Sequence, residues 1–137
     1  MAEIHEIIAE LATIQGAITG VKHAFAEAPE SLGDVPAFLN FPSGGVPTRI
    51  VSGRQIVHTI RMQLFVTRNV LPQAEKELRP YLKLTMDAFD HNLRLNGKAS
   101  TSMITRYTYG RLEYAKVEYL GISFDIDVKT LEPFDFS

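Results

Sequence analysis

Cysteine is absent from the 137-residue sequence. That excludes a disulfide framework, a thiolate metal site and a thiol nucleophile, and it fits assembly in a reducing compartment. Basic excess is lacking as well: 14 Lys and Arg stand against 16 Asp and Glu, for a formal charge of −2. Neutralising phosphates needs the opposite balance, so nucleic-acid binding is not expected as the main function. No apolar run approaches the roughly 18 residues of a membrane-spanning helix. The start, Met1-Ala2-Glu3 with Glu6 close behind, does not read as a signal peptide. What remains is a soluble protein, most simply one domain over residues 1–137. Its 45% hydrophobic and 22% charged residues are ordinary for a globular chain able to bury a core without staples.

Helical spacing opens the chain. Ile4, Ile7, Ile8, Leu11 and Ile14 fall at i, i+3, i+4 and i+7 and predict a helix over 2–16. Glu3 and Glu6 sit in its first turn, where the helix dipole favours them, and Gly16 and Gly20 bracket its exit. Val21, His23 and Phe25 then alternate with Lys22, Ala24 and Ala26, as in a first strand. Residues 27–36, "EAPESLGDVP", are acidic and turn-rich and read as a surface loop. Residues 37–41, "AFLNF", form a short strand closed off by "PSGGVP" at 42–47. The glycines invite a phosphate-loop reading, yet no Gly-Lys-Ser/Thr follows. The nearest match, "NGKAS" at 96–100, has Ala99 where the hydroxyl belongs, which leaves a hinge-like loop.

Period two runs from Thr48 to Thr67. Ile56, His58, Ile60, Met62, Leu64 and Val66 share one face, and Val57, Thr59, Arg61, Gln63 and Phe65 the other, with a turn or bulge at Ser52-Gly53. His58 on the apolar face reads as a hydrogen-bonded core histidine. Pro72 suits the first position of a second helix, whose buried stripe is Leu78, Tyr81, Leu82, Thr85, Phe89 and Leu93. Pro80 inside it implies a kink there or a start just before it. An exposed loop follows, then strands over 101–114 and 117–129 joined at Ala115-Lys116. Pro133 closes the last strand and leaves the tail "FDFS". The order α-β-β-β-α-β-β predicts an α+β fold: an antiparallel or mixed sheet with a long hairpin and both helices on one face.

Catalytic patterns are sparse. His5, His23, His58 and His91 show no metal-ligand spacing, and Asp87 with His91 supplies only two ligands on one helix face. No Gly-x-Ser-x-Gly elbow is present. Ser123, Asp125 and Asp127 share the polar face of a strand whose other face is Leu120, Ile122, Phe124, Ile126 and Val128, a pattern that a half-buried strand already requires. Glu113 and Glu118, in the triplets Leu-Glu-Tyr and Val-Glu-Tyr, are the best candidate acid–base pair. With a two-residue turn at 115–116 they face each other across a hairpin, where like charges cost up to about 1 kcal/mol. A hairpin tip offers no pocket to raise a carboxyl pKa, so the pair reads as a rim or interface, neutralised by Lys116 or a neighbouring molecule.

Three longer phrases are distinctive: "AFAEAPESLGDVPAFLNFPSGG" at 24–45, "HTIRMQLFVTRNVLPQAEKELRPYLKLTMDAFDHN" at 58–92, and "YTYGRLEYAKVEYLGISFDIDVK" at 107–129. In wording and element order the chain, over roughly residues 3–130, resembles the tail terminator (tail-completion) proteins of long-tailed bacteriophages. The strongest parts are "APESL…PAF" at 28–38 and "YGRLEY…VEYLGISF" at 109–124. These are structural phrases and carry no catalytic signature. The resemblance implies a non-enzymatic subunit, with no cofactor, that forms a hexameric ring on the head-proximal end of the tail tube. Such a ring stops tube polymerisation and docks the connector or stopper of the filled head. Its location is the neck of the virion, reached from the host cytoplasm, and DNA passes its lumen without specific binding.

The family motifs carry over no interface residues. On physical grounds the candidates are Glu113, Lys116 and Glu118 at the hairpin, and Leu131, Phe134 and Phe136 beyond the last strand, where aromatics can dock on a neighbour. A near-neutral to acidic balance suits a channel through which DNA slides. Long strands offer edges through which a sheet can continue around a ring. Two other readings stay open: another neck component, such as a head–tail adaptor or stopper, and a small cellular α+β ligand-binding or enzymatic domain. A pocket uniting His58, Tyr107 and the two glutamates would favour the last.

Overall fold

Helix α1 (Ile4–Gly16) forms where the isoleucine stripe predicts it, and it buries Ile7, Ile8, Leu11 and Ile14. Its first turn is closed by Glu6, whose carboxylate accepts the Glu3 N–H at 3.3 Å. The computed structural model of the chain describes residues 3–68 and 73–133. After α1 come β1 (His23–Phe25), β2 (Ala37–Ile50), β3 (Gly53–Thr67), α2 (Gln73–Asp90), β4 (Thr101–Tyr114) and β5 (Val117–Pro133). The fold is α+β, with the element order the sequence predicts.

One five-stranded sheet has the order β1-β2-β3-β5-β4. The short β1 lies parallel to β2, and every other pairing is antiparallel, so the sheet is mixed. Both helices pack on one face. There Phe38, Ile60, Met62, Leu64, Ile122, Phe124, Ile126 and Val128 meet the α1 stripe and Leu78 and Phe89 of α2. Alternation along β3 and β5 dictates this, since successive side chains point to opposite faces. A reciprocal amide pair crosses the same core. Gln15 Nε2 donates to Asn40 Oδ1 at 2.6 Å, and Asn40 Nδ2 donates to Gln15 Oε1 at 2.9 Å and to the Phe25 carbonyl at 3.1 Å. Each buried polar atom is thereby satisfied, and the pair locks α1 to β2 and β1.

The opposite face carries a second, smaller core: Leu32, Leu39, Phe65 and Tyr119 are buried, with Phe25, Phe41, Leu112 and Tyr114 against them. The segment 27–36 is therefore more than a surface loop. It seats Leu32, 1% exposed, on the sheet, and the Tyr114 hydroxyl donates a hydrogen bond to the Pro29 carbonyl that ties loop to hairpin.

Other expectations change. Residues 42–47 continue β2 up to Ile50, with a register shift between Pro42 and Gly44. A bulge and an edge position accommodate Pro and Gly, which a central strand would not. The strand expected over Thr48–Thr67 is in fact two, turned at Val51-Ser52. Helix α2 runs through Pro80 from Gln73, so it does not begin just before Pro80. Pro80 is exposed, so the carbonyl left without its N–H partner is open to water. Leu93 is 46% exposed, and Leu95, fully buried, takes the core position expected of it. Beyond Asp90 the chain leaves helical geometry, with left-handed Leu95, Asn96 and Gly97 (φ 49°, 53° and 85°), so the 3.6-residue spacing no longer applies.

His58 sits on the helix-side face opposite Gly45 and Val128. Its expected hydrogen bond is missing: among the described residues, the buried Nε2 has no partner. Neither facing residue brings a polar side chain. Burial lowers its pKa from the usual 6.5, which favours the neutral ring.

Candidate assembly surface

β4 and β5 form a hairpin whose two-residue turn is Ala115-Lys116, both left-handed at φ 51° and 65°. That is the primed geometry matching strand twist, built without the Asn-Gly that usually relieves it. Each non-glycine residue there costs on the order of 1 kcal/mol, held at an exposed tip. The register sets Glu113 opposite Glu118. Both are exposed, and the neutralising cation is Arg111, Nη1 to Glu118 Oε1 at 3.4 Å. Such a surface pair contributes about 0–1 kcal/mol. Converting Glu113 and Glu118 together to glutamine is accordingly expected to change unfolding free energy by less than about 1 kcal/mol in a denaturant titration. A loss above about 2 kcal/mol would show that the carboxylates hold a partner beyond Arg111.

The remaining sequence-nominated residues lie far apart. His58 is level with Val128 on β5, whereas Glu113 is level with Glu118, ten residues along the same strand. At about 3.3 Å per residue this is roughly 33 Å, so His58, Tyr107 and the glutamates line no common pocket. On α2, the Asp87 carboxylate takes Lys83 Nζ at 2.9 Å, and His91 Nδ1 meets the Asp87 carbonyl at 2.7 Å. Among the described residues no group of three or more metal-ligating side chains converges. Asp127 accepts from Thr59 Oγ1 at 2.8 Å, and Asp125 pairs with Arg61 at 3.4 Å, both across β3 and β5. Leu131 is not beyond the last strand: it lies within β5 opposite Gln55 and is 50% exposed. Phe134 and Phe136 lie outside the described residues.

The sequence offered the long strands as edges for assembly without showing which of them ends the sheet; that strand is β4. This strand is last in the sheet order, so among the described residues its outward N–H and C=O groups have no neighbouring strand. Met103, Tyr107 and Tyr109 on it are 64%, 45% and 51% exposed, and the two tyrosine rings meet edge to face, centroids 5.7 Å apart. The other side of the sheet is blunted. Beyond the three residues covered by β1, β2 carries Pro42 and Pro47. A ladder proline turns its missing donor outward and spoils that edge for pairing. β4 has no proline over its 14 residues. An edge strand and a central strand look alike locally, because only the pairing distinguishes them.

Beside β4, the first half of α2 completes a groove lined by Glu75, Leu78, Arg79, Tyr109, Gly110 and Leu120. Its volume of about 290 Å³ is just below the range of pockets that enclose a whole small ligand. Leu78 is buried at its floor, and Gly110 faces open space. An open edge strand with a helix alongside is an arrangement that accepts an added strand. A scan against protein-family models finds no match to this chain, and a search of curated proteins finds none.

Proposed function

We propose that this chain is a virion structural protein of a long-tailed bacteriophage, the subunit of a homo-oligomeric, hexameric ring. The ring caps the head-proximal end of the tail tube, ends tube polymerisation and presents the docking surface for the head connector. DNA threads its lumen without specific binding. The observation that carries this reading is the outer edge of β4, 14 residues without proline, with Tyr107 and Tyr109 exposed together on its helix-side face. A soluble chain leaves such an edge open at the risk of aggregation unless a partner covers it. The β2 side of the sheet is blunted, so in a ring the β4 edge meets a different surface of the neighbouring copy, a head-to-tail contact of the kind that closes on itself.

The wording of residues 24–45, 58–92 and 107–129 supports the tail-terminator assignment within that class. The acid residues fit a structural role too, since Glu113 and Glu118 are exposed and Asp125 and Asp127 are paired across strands. Light scattering coupled to size exclusion, followed by electron microscopy of the peak, tests the proposal. Rings of uniform size are expected. A protein that stays strictly monomeric, even with tail-tube subunits present, would overturn it.

A further inference from the structure

We infer that the groove between β4 and α2 receives residues 134–137 of a second copy of this chain, "FDFS", as an added strand. The inference rests on the ring reading only in needing neighbours head to tail. Phe134 and Phe136 are two residues apart, so in an extended segment both point to one side while Asp135 points to the other. The groove has a matching character: Leu78 and Leu120 form an apolar floor, the Tyr109 ring forms a wall, and Glu75 and Arg79, paired at 2.9 Å, form a polar rim. Backbone groups on the outer edge of β4 supply the ladder, and the aromatic side chains supply specificity.

Reach requires that the tail come from another molecule. Gly110 in the groove pairs with Gly121 on β5, and Pro133, where the described chain stops, lies twelve residues farther along that strand. The separation is about 40 Å at ~3.3 Å per residue. Residues 134–137 span at most about 14 Å when fully extended. The tail leaves from one end of the sheet and the groove opens near the other, so each contact passes to a new subunit.

The absence of native cysteine makes a direct test possible. Gly110→Cys, at a position where a Cβ meets nothing within 4 Å, is combined with Asp135→Cys in the full chain. Mild oxidation is expected to give a ladder of covalent dimers, trimers and larger species on a denaturing gel, collapsing with reductant. Each single variant should stop at a dimer, and Lys83→Cys with Asp135→Cys, placed on the exposed side of α2, should give little product. If Gly110→Cys fails to fold by circular dichroism, the exposed Thr108→Cys, on the same face of β4 as Gly110, replaces it.

A ladder confined to the groove variant supports the inference, and it does so even from a chain that is monomeric before oxidation, in which case the ring reading alone falls. An equal ladder from the Lys83 variant, or an intramolecular product, overturns the inference. Absence of a ladder where the unsubstituted chain is oligomeric overturns the tail contact and leaves the ring standing. Absence of a ladder from a monomeric chain overturns both.

Discussion

Replacing Tyr107 and Tyr109 together with lysine is expected to yield a folded monomer that does not form the proposed rings. Both side chains are about half exposed in the single chain, so the substitution empties no core. Its cost to folding is the modest strand preference of tyrosine over lysine, up to about 1 kcal/mol per position. Assembly is affected far more. An interface tyrosine that acts as a hot spot contributes at least about 2 kcal/mol, and two such losses weaken association roughly a thousandfold. Lysine is also the residue by which natural edge strands resist pairing. Sedimentation velocity gives the mass, and a thermal melt shows whether the fold persists. Rings that form normally from the double variant would place the subunit contact away from β4.

Gly121→Ala is expected to destabilise this chain severely. A Cβ on Gly121 would stand 2.0 Å from the Leu64 carbonyl oxygen and 2.9 Å from Leu112 Cδ1. The first of these atoms is backbone near the end of β3, next to the register shift between Phe65 and Thr67, and it cannot retreat without disturbing the ladder to β5. Overpacking of this severity costs about 3–5 kcal/mol, a large share of the 5–15 kcal/mol typical of a whole domain. At this chain length that corresponds to a fall in Tm of roughly 10 °C or more. Gly110, its partner across β4 and β5, is the internal control. A Cβ there meets nothing within 4 Å, so Gly110→Ala should change stability by less than about 1 kcal/mol. Equal effects at the two glycines would show that the close approach of Leu64 to Gly121 is not maintained in solution.

Several elements were legible in the chain without coordinates. The isoleucine stripe of α1, the two-residue alternation of β3 and β5 and the turn at Ala115-Lys116 each arise within a few residues, and the register of Glu113 with Glu118 follows from that turn alone. Other expectations failed for one shared reason. "PSGGVP" belongs to β2 because an edge strand with a bulge tolerates proline and glycine, and nothing within those six residues reveals that they lie at an edge. Leu93 and Leu95 exchange roles because left-handed residues end the helical spacing. The loop at 27–36 looked solvated until β2, β3 and the β4–β5 hairpin supplied the apolar face that Leu32 covers. Gln15 and Asn40, 25 residues apart, read as two unrelated amides until the fold set them side by side.

The candidate surface divides along the same line. Sequence alone determined the alternation of β3 and β5, which of their faces is apolar and that Glu113 and Glu118 sit across a tight turn, because alternation and turn chemistry are properties of neighbours in the chain. Tertiary structure alone decided that β4 ends the sheet, that α2 lies beside it to make a groove, and that Pro133 and Gly110 stand at opposite ends. Those facts depend on which strands pair and in what register, and pairing is settled by the burial of faces contributed from distant parts of the chain.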